Sequence, residues 1–230
     1  MIDSSRIKTI FFDLDHTLWD FEKNSALTFE KIFSAAEVDV PLDAFLNAYV
    51  PINHQYWKLY RDNQITQEEL RLLRLQKTFE QLGLQFQPAE LSHFSTQYIQ
   101  YLCTFTHLFE GTVELLTHLR PSFDLHLITN GFDEVQHFKV SNSDLSQYFG
   151  QIFTAEKVGY KKPHPKIFAH ALEQTATQPE HALMIGDSLE ADILGAQDMG
   201  MQAIHFNSHN EPLHKHCLIV NSLAEIKALL

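Results

Sequence analysis

In Ile10-Phe11-Phe12-Asp13-Leu14-Asp15-His16-Thr17, a short apolar run gives way abruptly to two carboxylates. A run of this length that breaks into polar residues has the pattern of a buried strand emerging at the edge of a sheet. The pattern recurs. Residues 125–128 precede Thr129-Asn130-Gly131, residues 182–185 precede Gly186-Asp187-Ser188, residues 203–206 precede Asn207-Ser208, and residues 218–220 precede Asn221-Ser222. Helix-length segments lie among them, at 112–119, 134–141, 166–173 and 189–199. Alternation of this kind predicts right-handed βαβ crossovers and an α/β fold with a parallel sheet. Ligands of such sheets gather beyond the carboxyl ends of the strands, where these polar triplets fall.

Residues 19–103 read differently. They carry helical periodicity and many aromatic residues, with breaks near 38–41, 63–66 and 83–88 and no convincing strand. The expectation is an inserted unit of about four helices over 19–103, flanked by a sheet-containing core made of 1–18 and 104–230.

Composition narrows the function. The 230 residues, 44% of them hydrophobic, suffice for a substantial buried interior. A formal net charge of -12 with only 17 Lys plus Arg opposes binding of a nucleic-acid polymer, which relies on clustered positive charge. Any affinity for phosphate must then reside in a local site. The apolar run at residues 7–12 lacks the length and flanks of a signal peptide, and no segment reaches transmembrane length. Cys103 and Cys217, far apart in sequence, do not suggest a disulfide framework. A soluble cytoplasmic protein without a membrane partner is expected.

The chemistry sits at the strand ends. Asp13 and Asp15, two positions apart, fall on one face if the extended backbone continues, so one can attack while the other handles protons. A carboxylate is a weak nucleophile, and a divalent cation makes its attack on a phosphate feasible. Paired aspartates here would otherwise serve as turn or capping residues. In Gly186-Asp187-Ser188-Leu189-Glu190-Ala191-Asp192, the glycine permits a tight strand exit, and the carboxylates that follow suit magnesium as hard oxygen donors. Asp187 or Ser188 can equally cap the next helix. Thr129-Asn130-Gly131 offers a hydroxyl, an amide and backbone N–H groups to phosphate oxygens, or simply forms an Asn-Gly turn. Lys161-Lys162-Pro163 offers a cation at a rigid turn, or a solvated lysine pair.

In order and spacing these four elements resemble the motifs of the haloacid dehalogenase superfamily: Asp13-Leu14-Asp15-His16-Thr17, Thr129, Lys162, and Gly186-Asp187 with Asp192. The resemblance implies a Rossmannoid α/β core with an all-helical cap inserted after the first strand. It also implies a nucleophile at Asp13, a general acid and base at Asp15, and one magnesium ion held by Asp13, the main-chain carbonyl of Asp15, and Asp187. Asp192 would assist directly or through water. Thr129, Asn130 and Gly131 would bind the phosphoryl group of a small phosphomonoester. Lys162, directly before the proline, is the motif lysine, with Lys161 as the alternative. True dehalogenases of this superfamily typically lack an aspartate two positions after the nucleophile, because halide displacement needs no proton, so Asp15 favours phosphoryl transfer.

A closer resemblance is to the bacterial pyrimidine 5'-nucleotidase branch. It rests on Ile128-Thr129-Asn130-Gly131-Phe132, Glu156-Lys157-Val158-Gly159, Lys162-Pro163-His164-Pro165-Lys166-Ile167-Phe168 and Gly186 to Ile193. In the helical insertion Asn53, Trp57, Tyr60 and Ile65-Thr66 look similar in type and spacing, which implies nucleotide contacts at Asn53 and Trp57. Trp57 and Tyr60, one helical turn apart, can instead pack against neighbouring helices. A sugar-phosphate phosphatase or a phosphomutase of the same superfamily is the rival reading. His205, His209, His214 and His216 match no compact zinc motif and read as a solvated loop.

Overall fold

Strand β1 (Thr9–Phe12) is buried at every position, as a strand covered on both faces must be. The computed structural model describes residues 2–36 and 38–230 and places β1 at the middle of a six-stranded parallel sheet. After β1 the chain enters four helices: α1 (Phe21–Ala36), α2 (Leu42–Arg61), α3 (Gln67–Gln81) and α4 (Pro88–Leu102). It then returns through α5 (Thr112–Leu119), β2 (Asp124–Thr129), α6 (Asp133–Asn142), β3 (Ile152–Thr154), α7 (Ala155–Val158) and α8 (Pro165–Gln174). The last third holds β4 (Ala182–Gly186), α9 (Gly195–Asp198), β5 (Gln202–Phe206), β6 (Leu218–Val220) and α10 (Leu223–Leu229).

The strand order is β3-β2-β1-β4-β5-β6. The chain steps outward on one side of β1 as far as β3, then crosses to the other side for β4. That reversal opens a crevice at the carboxyl ends of β1 and its neighbours, the place where open α/β sheets bind ligands. Register aligns those ends, with Phe12 opposite both Leu127 and Ile185. Beneath the crevice, Phe11, Ile128, Phe168, Met184 and Ala196 form part of a fully buried cluster.

The chain divides into two compact units, one of Met1–Phe21 with Thr106–Leu230, the other of Glu22–Phe105. The passages into and out of the helical unit run side by side, with Asp20 N–H donating to His107 O (3.0 Å) and Phe109 N–H to Leu18 O (3.0 Å). Within the helical unit, aromatic residues at helical spacing supply the core. The Phe29 ring lies 4.6 Å from those of Phe45 and Tyr49 and 4.7 Å from that of Tyr98. No described helix is long and apolar enough to cross a membrane.

The five strands anticipated from apolar runs are present, but β3 is not among them. Its three residues, Ile-Phe-Thr, are too few to show a pattern. The helix expected over 189–199 is instead a π-helical turn (Leu189–Leu194) followed by α9. The wider turn accompanies a side-chain contact: Asp192 folds back so that its Oδ2 accepts the Ser188 N–H at 3.0 Å. Gly186 makes room for this, since a Cβ there would overlap the Asp192 carboxylate.

Candidate active site

Asp13 is the first residue beyond β1, anchored by its N–H to Ile185 O at 2.9 Å. Extended backbone does not persist. Asp15 bridges to Trp19, His16 takes a left-handed φ of 64°, and the chain reverses through a tight turn closed by His16 N–H to Trp19 O (3.0 Å). The two carboxylates therefore meet different partners. Asp13 faces a lysine that follows α7, and Asp15 faces α6.

Lys162 is buried. Its Nζ donates to Asp13 Oδ1 at 2.5 Å and to Ile128 O at 2.7 Å. The same ammonium lies 2.7 Å from Asp192 Oδ1 as an ion pair, although no donor aligns with that oxygen as a hydrogen bond. Asn130 fixes the lysine through its main chain. Its Oδ1 accepts the Lys162 N–H at 2.7 Å, and its Nδ2 donates to the Lys162 carbonyl at 3.0 Å. The Asn130 side chain, anticipated on a phosphoryl group, is thus engaged at both ends with Lys162.

Thr129 ends β2, and its Oγ1 accepts from Gly131 N–H at 3.0 Å and from Gln136 Nε2 at 3.1 Å. A hydroxyl has two acceptor lone pairs and one hydrogen, so two accepted bonds leave that hydrogen to donate. Gly131 lets Gln136 approach this closely, because a Cβ there would overlap the amide.

Carboxylate oxygens of Asp13, Asp187 and Asp192 all lie within 4.8 Å of one another. Burial pushes the Asp13 carboxyl well above the usual aspartate range; Lys162 opposes the shift, while Asp192 and Asp187 reinforce it. Burial also raises Asp192, again against Lys162 and with Asp187. Burial works against the Lys162 ammonium, but Asp13 and Asp192 overcome it and hold the group firmly protonated. At Asp187 burial is outweighed by His209, His16 and Lys162, which keep this carboxyl below its ordinary range. Asp13 and Asp192 share one buried ammonium, Asp187 lies in the same cluster, and Asp192 Oδ1 has no aligned donor. A hard divalent cation fits that charge and that all-oxygen donor set.

Ser188 caps the turn that carries Asp192, accepting Ala191 N–H at 3.1 Å. Its neighbour Asp187 is steadied from β5: His205 Nε2 donates to the Asp187 carbonyl at 2.7 Å. The His205 Nδ1 lies 2.8 Å from His214 Nε2, so the two rings share one hydrogen bond. His205, grouped with the loop histidines but also within the anticipated strand run 203–206, is a fully buried strand residue. Among the described residues, the C-terminal histidines are not part of any three-ligand cluster.

His209, expected in a solvated loop, lies 3.5 Å from Asp187 Oδ2, and two residues of α6 also enter the site without having been anticipated. Lys139 Nζ donates to Asp15 Oδ1 at 2.6 Å, and Gln136 Nε2 donates to Asp15 Oδ2 at 2.8 Å. Both lie on the buried face of α6 beside Val135 and Val140. Polar residues on an otherwise apolar stripe were the available signal.

Asn53 and Trp57 belong to the helical unit. Asn53 is buried, with its Oδ1 accepting from Arg74 Nη1 at 2.8 Å and Tyr49 OH at 3.4 Å. Trp57 is half-buried and meets the Tyr60 ring edge-on at 5.7 Å. Thr66 caps α3 in a reciprocal box with Glu69.

The haloacid dehalogenase-like hydrolase family model matches residues 7–200. Pyrimidine 5'-nucleotidase YjjG of Escherichia coli (strain K12) is 32% identical over 226 residues, 96% of each chain. Pyrimidine 5'-nucleotidase PynA of Streptococcus pneumoniae (strain ATCC BAA-255 / R6) is 32% identical over 209 residues, 90% of this chain and 86% of that one. Among solved structures, the HAD-hydrolase YfnB of Bacillus subtilis, described as magnesium-bound with interdomain movement, superposes with a TM-score of 0.88. It is 27% identical, and the match covers 97% of this chain and 98% of that one. The chain belongs to the haloacid dehalogenase-like hydrolases.

Proposed function

We propose that the chain is a magnesium-dependent phosphomonoester hydrolase that works through an aspartyl-phosphate on Asp13, with nucleoside 5'-monophosphates, pyrimidines above all, as substrates. The observation that carries the reading is the pair of differently held carboxylates: Asp13 on Lys162 within an acidic cluster, and Asp15 on α6. Ester hydrolysis needs a proton donor beside the nucleophile, and halide displacement does not.

Asp13 attacks phosphorus, forming an O–P bond as the ester P–O bond breaks, and Asp15 delivers its proton to the leaving alkoxide. Water then attacks the phosphorus of the aspartyl-phosphate and passes a proton to Asp15, which releases inorganic phosphate and restores Asp13. Lys162 orients Asp13 and offsets charge on the phosphoryl oxygens. Thr129 donates its hydroxyl hydrogen to that group, the Gly131 N–H and the Gln136 amide orient that hydroxyl, and Asn130 holds Lys162 in register. Magnesium, held by Asp13, the Asp15 carbonyl, Asp187 and Asp192, would supply neutralisation of the repulsion between carboxylate and phosphate.

Base recognition is assigned to the helical unit, with Trp57 offering a half-buried aromatic face, while Asn53 is held within that unit by Arg74 and Tyr49. Similarity to YjjG and PynA supports this choice. The test is phosphate release from a panel of nucleoside monophosphates and sugar phosphates, with magnesium, for the wild type and Asp13→Asn. Preference for UMP, dUMP or dTMP is expected. Preference for sugar phosphates would overturn the substrate class, and halide release from haloacids in place of phosphate release would overturn the chemistry.

A further inference from the structure

We infer that Lys139 and Gln136 are positioning residues that hold the proton-handling carboxyl of Asp15 in place and tie it to the phosphate-binding hydroxyl of Thr129. The inference rests on the assignment of Asp15 as general acid and base. Each Asp15 oxygen has its own donor: Lys139 Nζ on Oδ1 at 2.6 Å and Gln136 Nε2 on Oδ2 at 2.8 Å. The Gln136 amide also donates to Thr129 Oγ1 at 3.1 Å, so one side chain links the acid to the group that receives phosphate. A carboxyl offers about four lone-pair sites, and two donors leave room on Oδ2 for the proton that is handed over.

Lys139 is itself held. Its side chain is only 2% exposed, and its Nζ lies 4.3 Å from the centre of the Trp19 ring and 5.1 Å from that of Phe21. An ammonium seated on two rings has few alternative positions. It cannot follow Asp15 through other rotamers, so the ion pair fixes the carboxyl instead. Neither residue reaches the substrate in this account, so neither is a catalytic residue.

A positioning role for the acid has a signature that a merely structural role lacks. In kcat/KM, which reports the steps up to departure of the alcohol, an acid matters for a poor leaving group and hardly at all for a good one. The experiment compares UMP with 4-nitrophenyl phosphate for the wild type, Asp15→Asn, Lys139→Met, Lys139→Arg and Gln136→Leu, each checked for folding by circular dichroism. Lys139→Met is expected to lower kcat/KM for UMP by about tenfold or more and for 4-nitrophenyl phosphate by less than about threefold. Lys139→Arg should recover most of the loss, and Gln136→Leu should show the same selectivity. Should Lys139→Met not fold, Gln136→Leu carries the comparison. Equal losses on both esters, or no loss on either, would overturn the inference. Absence of the selectivity in Asp15→Asn would instead overturn the role of Asp15, and this inference would fall with it.

Discussion

At the scale of single residues, the site is governed by how little positive charge serves how much negative charge. Lys162 is the buried ammonium shared by Asp13 and Asp192, and a lysine survives at that depth only because both carboxylates face it. Lys162→Met should therefore cost stability as well as activity. Loss of the cation strands two buried carboxylates, and a loss of about 3–5 kcal/mol in urea unfolding is expected. An unchanged unfolding midpoint would mean that the carboxylates find another counter-charge. Asp13, Thr129 and Asp187 were legible because each stands at a strand end, whereas Lys162 follows α7 and was legible from the proline after it. The partners that orient them were less so. Asn130 was expected at the phosphoryl group from the family resemblance, and only the folded chain brings its amide against the main chain of a residue 32 positions away.

Secondary-structure elements set those residues in place, and some sequence signals belong to the elements alone. Thr66, which resembles a substrate-contact position, accepts Glu69 N–H at 3.2 Å and receives Glu69 Oε2 on its own N–H at 2.7 Å. That is the reciprocal cap of α3. Thr66→Ala should lower stability by about 1 kcal/mol and leave KM for nucleotides unchanged, as read by thermal unfolding and steady-state kinetics. A raised KM with unchanged stability would return Thr66 to the binding site. Element α6 teaches the converse. Its apolar positions identified it as a helix, while Gln136 and Lys139 on the same buried face went unremarked, because sequence periodicity says which side is buried but not what it meets. The π-helical turn after β4 was read as ordinary helix for a similar reason: what accompanies it is the return of Asp192 to Ser188 N–H.

For the molecule as a whole, a net charge of -12 opposes the phosphorylated substrate proposed above, and Lys162 and Lys139 bring positive charge to the crevice. The buried cations there, Lys162 and Lys139, are outnumbered by the carboxylates of Asp13, Asp15, Asp187 and Asp192, so a bound divalent ion should stabilise the fold by mass action. Magnesium at about a hundred times its Kd adds about 2.7 kcal/mol. For a chain of this size that corresponds to a rise in Tm of about 5–10 °C. The rise should vanish with excess chelator and shrink in Asp187→Asn. A rise that persists undiminished in that variant would place the ion elsewhere. The central claim, that Asp13 forms a covalent bond to phosphorus, is tested most directly by rapid acid quench of the enzyme turning over UMP with a radiolabelled phosphoryl group. The account predicts label on the peptide containing Asp13, removable by alkali and absent from Asp13→Asn, which should also lose phosphate release by about a thousandfold or more. Phosphate released at the normal rate by Asp13→Asn, or label found on a different residue, would contradict it.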